Sequence, residues 1–162
     1  MLLPSKNHFK RITFGDPLLT TQQDHVEIVN AICQEFSDLP SDCALILMGH
    51  GTSHYANDVY AALDYRFKDL GHDNIHLATV EGYPTLENVI RLVKEQGAKK
   101  VILTPFMIVA GDHARNDMSG EDEDSWKNQF QAAGYEVECC LKGLGEYPAV
   151  QNMLIRHVTE VC

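Results

Sequence analysis

Hydrophobic and polar positions along this chain fall into two kinds of run. Cys43 to Met48, Ile75 to Val80 and Val101 to Pro105 are short, mainly apolar stretches without a helical period, which predicts strands buried on both faces. Between them, apolar residues recur at intervals of three and four. From Gln22 to Phe36 the repeating positions are Val26, Val29, Ile32, Cys33 and Phe36, and Thr21 with Asp24 three positions on has the form of a capping box. Thr52 or Ser53 is the expected cap of a long helix carrying Tyr55, Val59, Ala62, Leu63, Phe67 and Leu70, stopped at Gly71. Pro84-Thr85 opens a third helix with Leu86, Val89, Ile90 and Val93 inward and Gly97 at its end. Trp126 to Ala133 is a fourth, capped by Ser119 or Asp124, and Val150, Met153, Leu154, Val158 and Val161 mark a fifth. Tyr135 to Leu141 reads as a further strand, and Arg11-Ile12-Thr13-Phe14 as a short one ended by Gly15-Asp16-Pro17.

Strands alternating with helices at this spacing imply an α/β fold, a parallel sheet of about four strands with right-handed crossovers and helices on both faces, of the flavodoxin-like kind. Residues 1–12 read as a flexible lead and 13–162 as a single α/β domain. The stretch from Pro105 to Asp124 departs from the pattern, having no clean period. A connection this long inside a compact domain is usually functional, and its apolar start, Phe106 to Ala110, implies packing rather than disorder.

With 162 residues, 44% of them apolar, the chain builds a conventional core without staples. No stretch approaches the ~18 apolar residues of a membrane span. Met1 to Lys6 lacks a charged start followed by an apolar signal core, so the cytoplasm is the expected compartment. The five cysteines include a vicinal pair, Cys139-Cys140, and no C-x-x-C, which points to reduced, mostly buried thiols. A net charge of -10 has the wrong sign for a sequence-independent nucleic-acid binder. A polyanionic ligand would need local cationic groups.

In a parallel sheet all strand carboxyl ends share one edge, and that edge is where ligands bind. Gly49-His50-Gly51-Thr52 follows the first apolar run, Glu81-Gly82-Tyr83-Pro84 the second, and Gly111-Asp112-His113-Ala114 the third at a short remove. Singly, each has a plain reading: His50 in a solvated turn, Glu81 as a salt-bridge partner, His113 in an exposed loop. The glycine loop around His50 can also cradle a phosphate at a helix start, although it lacks the Gly-Lys-Ser/Thr ending of a P-loop. Taken together, two imidazoles and one carboxylate suit a divalent first-row metal such as Co, Fe, Ni or Zn, with open positions left over. Asp112 is the candidate to orient His113. His54 is close enough in sequence to His50 to line the same cleft, whereas His8, His25, His72, His76 and His157 read as structural or solvent-facing. Glu121-Asp122-Glu123-Asp124 reads as acid favouring the positive end of a helix rather than as a metal patch.

Met48-Gly49-His50-Gly51-Thr52, Val80-Glu81-Gly82-Tyr83-Pro84 and the long run from Leu103 to Met118 closely resemble the anaerobic sirohydrochlorin cobaltochelatase family, and the resemblance extends from about Thr13 onward. It implies ATP-independent insertion of Co2+, the substrate metal, into sirohydrochlorin during cobalamin biosynthesis, with no organic cofactor. It also implies that His50 and His113 are the catalytic histidines, that His50, Glu81 and His113 are the metal ligands, and that Arg115 is placed to meet substrate carboxylates. Members of this family are usually about twice as long, with the tetrapyrrole between two similar α/β halves, and this chain resembles the C-terminal half plus Phe14 to Leu19. The expected partners are the tetrapyrrole and either a second copy, as a homodimer, or a separate N-terminal half. The alternatives are a chelatase for iron or nickel and a non-catalytic metal- or tetrapyrrole-binding module. No nucleic-acid or membrane partner is expected.

Overall fold

A computed structural model describes residues 11–161. The lead expected over residues 1–12 lies outside the described residues except for Arg11 and Ile12. The elements run α1 (Gln22–Glu35), β1 (Cys43–Gly49), α2 (Asp58–Asp69), β2 (Ile75–Thr79), α3 (Leu86–Gln96), β3 (Lys100–Pro105), α4 (Trp126–Ala132), β4 (Glu136–Cys139) and α5 (Pro148–Thr159). The four strands form one parallel sheet in the order β2-β1-β3-β4.

Every residue of β1 is buried, as its unbroken apolar run requires. Its alternating side chains feed two separate cores. Leu45 and Leu47 pack with Ile28 and Ile32 of α1, Leu63 and Phe67 of α2, and Val150 and Met153 of α5. Ala44, Ile46 and Met48 pack with Val89 and Val93 of α3 and Trp126 and Phe130 of α4. The chain thus steps from β1 to β2 on one side and returns to place β3 on the other side of β1. The direction of winding reverses between β1 and β3, and a crevice opens outside the carboxyl ends of those two strands.

The local signals explain most boundaries. Thr21 accepts from the Asp24 N–H at 3.1 Å while its own N–H donates to the Asp24 carboxylate at 2.9 Å, completing the expected capping box. Gly97 ends α3 in the left-handed region at φ 73°.

Several expectations are corrected. Residues 11–14 form no strand, since Ile12 and Phe14 are exposed and find no neighbouring strand to pair with. Neither Thr52 nor Ser53 starts a long helix. A 3-10 turn over Tyr55–Asn57, capped by His54, intervenes before α2, and Tyr55 is 81% exposed rather than on the core face. Val26 is likewise exposed, because α1 turns Ile28, Val29 and Ile32 inward. Ser125, not Ser119 or Asp124, caps α4. The fourth strand is limited to Glu136–Cys139, the stretch that pairs with β3. On α5 the buried residues are Val150, Met153 and His157, while Leu154 and Val158 face out.

Candidate active site

His50 follows β1 at the reversal of winding. Its carbonyl accepts the Glu81 N–H at 2.9 Å, and the Gly49 carbonyl accepts the Val80 N–H at 3.0 Å, so the end of β2 is tied directly to the histidine. Gly51 has φ 81°, and a Cβ there would lie 2.7 Å from the Gly82 nitrogen. Only glycine lets the two loops approach this closely. Glu81 Oε2 consequently sits 4.0 Å from His50 Nδ1.

His113 reaches the same point from β3. The connection without a clean period forms one turn of π-helix over His113–Met118, anchored by buried Ala114 and Met118 in the core beneath α3 and α4. π turns recur at functional sites because the extra residue redirects a side chain. The His113 ring stands edge-on to His50, 89° between planes and 4.6 Å between centroids. Its Nδ1–H donates to the Asp117 carboxylate, one turn on. Asp117, not Asp112, is therefore the residue that orients His113.

These hydrogen bonds define the tautomers. His50 Nδ1–H donates to the Gly51 carbonyl at 2.9 Å, and His113 Nδ1–H donates to Asp117. In the neutral form both rings then carry their lone pair on Nε2, the arrangement in which a histidine can take a proton or bind a metal. The side chains of His50, Glu81 and His113 are 48%, 60% and 38% exposed, so incoming ligands can reach all three. Two pairings are thus realised, His50 with Glu81 and His50 with His113. As they stand, no group of three His, Cys, Asp or Glu side chains among the described residues is arranged to hold a metal ion.

His50 opens onto a cleft of about 1020 Å³. One wall is the strap Pro17–Thr20, and the other includes Tyr55, Tyr60 and Phe106. His54 lines it as expected, with Nδ1 accepting the Ala56 N–H at 3.2 Å. The volume is at the upper end of the range of small-molecule sites. Sequence reasoning missed the strap and Asp117. The Pro17 break alone signalled the first, and the i,i+4 spacing from His113 was available for the second.

The other candidates stay out of the site. Glu121 pairs with Lys127 at 3.3 Å, and the Asp122 carbonyl accepts from Ser125 at the start of α4. Cys33, Cys43, Cys139 and Cys140 are free, and Cys43 is fully buried. Burial pushes the Cys33, Cys43 and Cys139 thiols up. Cys162 lies outside the described residues. No helix among the described residues is long and apolar enough to cross a membrane.

A family model described as cobalt chelatase (CbiK) matches residues 4–162. The chain is 40% identical over 150 residues to a sirohydrochlorin cobaltochelatase of Salmonella typhimurium, covering 93% of this chain and 56% of that protein. It is 33% identical over 155 residues to the sirohydrochlorin cobaltochelatase CbiKC of Nitratidesulfovibrio vulgaris, covering 93% and 54%. The chain thus spans about half the length of the curated relatives it matches. A multi-domain protein of Deinococcus radiodurans, described as structurally similar to chelatases, superposes with a TM-score of 0.54 at 19% identity over 83% of this chain and 29% of that one, a likeness of fold. With a family model spanning nearly its whole length, the chain belongs to the cobalt chelatase (CbiK) family.

Proposed function

We propose that this chain inserts Co2+ into sirohydrochlorin without ATP or an organic cofactor, in the cytoplasm and on the route to cobalamin. We further propose that residues 13–162 act as the C-terminal half of the family fold. The observation that carries this reading is the edge-on pair of His50, which lines the cleft, and His113 beside it, each with its Nδ1–H engaged and its Nε2 lone pair uncommitted. Insertion strips water from the incoming ion and removes two pyrrole protons from the macrocycle. A neutral imidazole is the right base for the second task, and two imidazoles with Glu81 are the right donors for the first. Either histidine accepts a pyrrole proton at Nε2 while the other ring and Glu81 steady the ion. The protons then pass to solvent, which reaches all three side chains. Because the metal is cargo and must leave with the product, an open set of exposed ligands suits the task better than a closed cage. These donors also accept iron or nickel, since metal choice at such a site depends on geometry and supply. Arg115, exposed on the His113 turn, is the cation we assign to substrate carboxylates, against the net charge of -10.

A second reading comes from length. The chain spans about half the length of its curated relatives, and on this reading it acts as a homodimer, beside a separate N-terminal half, or as a binding module without turnover. Absorbance-monitored insertion of Co2+ into sirohydrochlorin by the purified chain separates these. We expect many turnovers per chain, at a specific rate that rises with protein concentration as dimers form. Saturation at one equivalent would leave the binding module.

A further inference from the structure

The strap Asp16–Thr20 lines the cleft through Pro17–Thr20 and contains no regular structure. Leu19 adopts φ 66°, unfavourable for a leucine, so contacts beyond the strap must hold this course, and besides the packing of Leu18 and Leu19 on the core these include hydrogen bonds. Two histidines hold it. His25 Nε2–H donates to the Leu19 carbonyl at 3.1 Å, and His157 Nδ1–H donates to the Asp16 carbonyl at 2.9 Å. The other nitrogen of His157 donates to the fully buried Asp24 carboxylate at 2.8 Å. Donation from both nitrogens requires the imidazolium form. The charged groups around His157 are Asp24 and, through Arg156, Glu27 on α1, together with Arg156 and Glu160 on α5; the strap contributes the Asp16 carbonyl. The bond to the Asp24 carboxylate, then the one to the Asp16 carbonyl, raise the His157 pKa above the ordinary imidazole value, against burial and the Arg156 charge.

On losing its proton, the ring can keep only one donor. A lone pair turned toward the Asp24 carboxylate is costlier than one turned toward a neutral carbonyl, so Nε2–H stays on Asp24 and the Asp16 contact is given up. We propose that His157 is a positioning residue for the cleft ligand, fixing the Asp16–Thr20 strap as a wall through its paired hydrogen bonds and releasing that strap on deprotonation. This inference rests on the cleft being the tetrapyrrole site.

The test follows the Leu18 and Leu19 methyl resonances, the His157 ring resonances and the Kd for uroporphyrin, an octacarboxylate porphyrin, as pH is raised from 6 to 9. In the wild-type chain the methyls move toward random-coil positions in step with the His157 ring, and the Kd weakens by about tenfold, the loss of one charge-assisted hydrogen bond. His157→Gln shows the high-pH methyl positions and affinity throughout. Arg156→Gln weakens the junction of α1 and α5 but spares both His157 donors, and it keeps the wild-type values at pH 6. Methyl positions that stay fixed while the ring titrates overturn the inference on the wild-type chain alone, whether or not His157→Gln folds. Loss of the strap in Arg156→Gln overturns it too, since general loosening would then suffice. Coupled methyl and affinity changes in a chain that inserts no cobalt would refute only the chelatase reading, and insertion with flat methyls only this inference.

Discussion

Asp117 does for His113 what the Gly51 carbonyl does for His50: it accepts the Nδ1 proton and leaves Nε2 as the free nitrogen. The Gly51 carbonyl is neutral and the Asp117 carboxylate is charged, so the two rings are held by different kinds of acceptor. Asp117→Ala should lower the rate of cobalt insertion by about 10- to 100-fold, the usual cost of losing a ligand's orienting partner. Its circular dichroism should be unchanged, because Asp117 is about half exposed and caps no helix. A wild-type rate in Asp117→Ala would mean that the His113 ring is oriented by something else. His50, Glu81 and His113 were legible in the sequence because a parallel sheet brings strand ends together wherever the strands lie. Asp117 was not legible, because no simple period announces a π turn.

At the scale of elements, the α1 and α5 helices are joined by charge as well as by packing. Asp24 accepts from His157 and, at 2.6 Å, from Arg156, which also reaches Glu27 at 3.0 Å. Burial alone would raise the Asp24 carboxyl, but hydrogen bonds from His157, Thr21 and Arg156 outweigh it and hold the group well below the usual carboxylate range. The signs follow. A depressed Asp24 contributes stability present above about pH 4 and lost as pH falls through its folded value. A raised His157 contributes stability that is complete below about pH 6.5 and lost as pH rises through its folded value. The clasp is therefore whole between those limits. Thermal melts should show Tm falling as pH rises above about 6.5 in the wild-type chain and a shallower fall in His157→Gln; parallel slopes would contradict this. The helices themselves were legible from their period, but period alone favoured Val158 over His157, since a buried histidine is revealed only by its distant partner Asp24. Tyr55 misled for the opposite reason, being an aromatic residue at helical spacing that lines a cleft instead of a core.

For the molecule as a whole, both sheet edges are guarded against strand addition. Along β2, the Ile75 carbonyl accepts from Lys68 at 2.6 Å, Leu77 N–H donates to Asp64 at 2.9 Å, and Thr79 N–H donates to the Pro84 carbonyl at 2.7 Å. The β4 edge carries Glu136 and Glu138. Among the large exposed apolar side chains, Tyr55 and Ile108 line the cleft. A tetrapyrrole or a partner half covering the cleft would remove that surface from water. The α/β class and the strand ends could be read from pattern alone, whereas the cleft could not, because its strap carries no periodic signal and is held by histidines from α1 and α5. The most direct test of the central claim, that His50 and His113 act as one unit on the macrocycle, is multiple-turnover cobalt insertion by His50→Ala, His113→Ala and the double variant. Each single change should cost at least about 100-fold, and the double should be no worse than either single, as for residues that work together. Continued turnover near the wild-type rate in folded His113→Ala would contradict it.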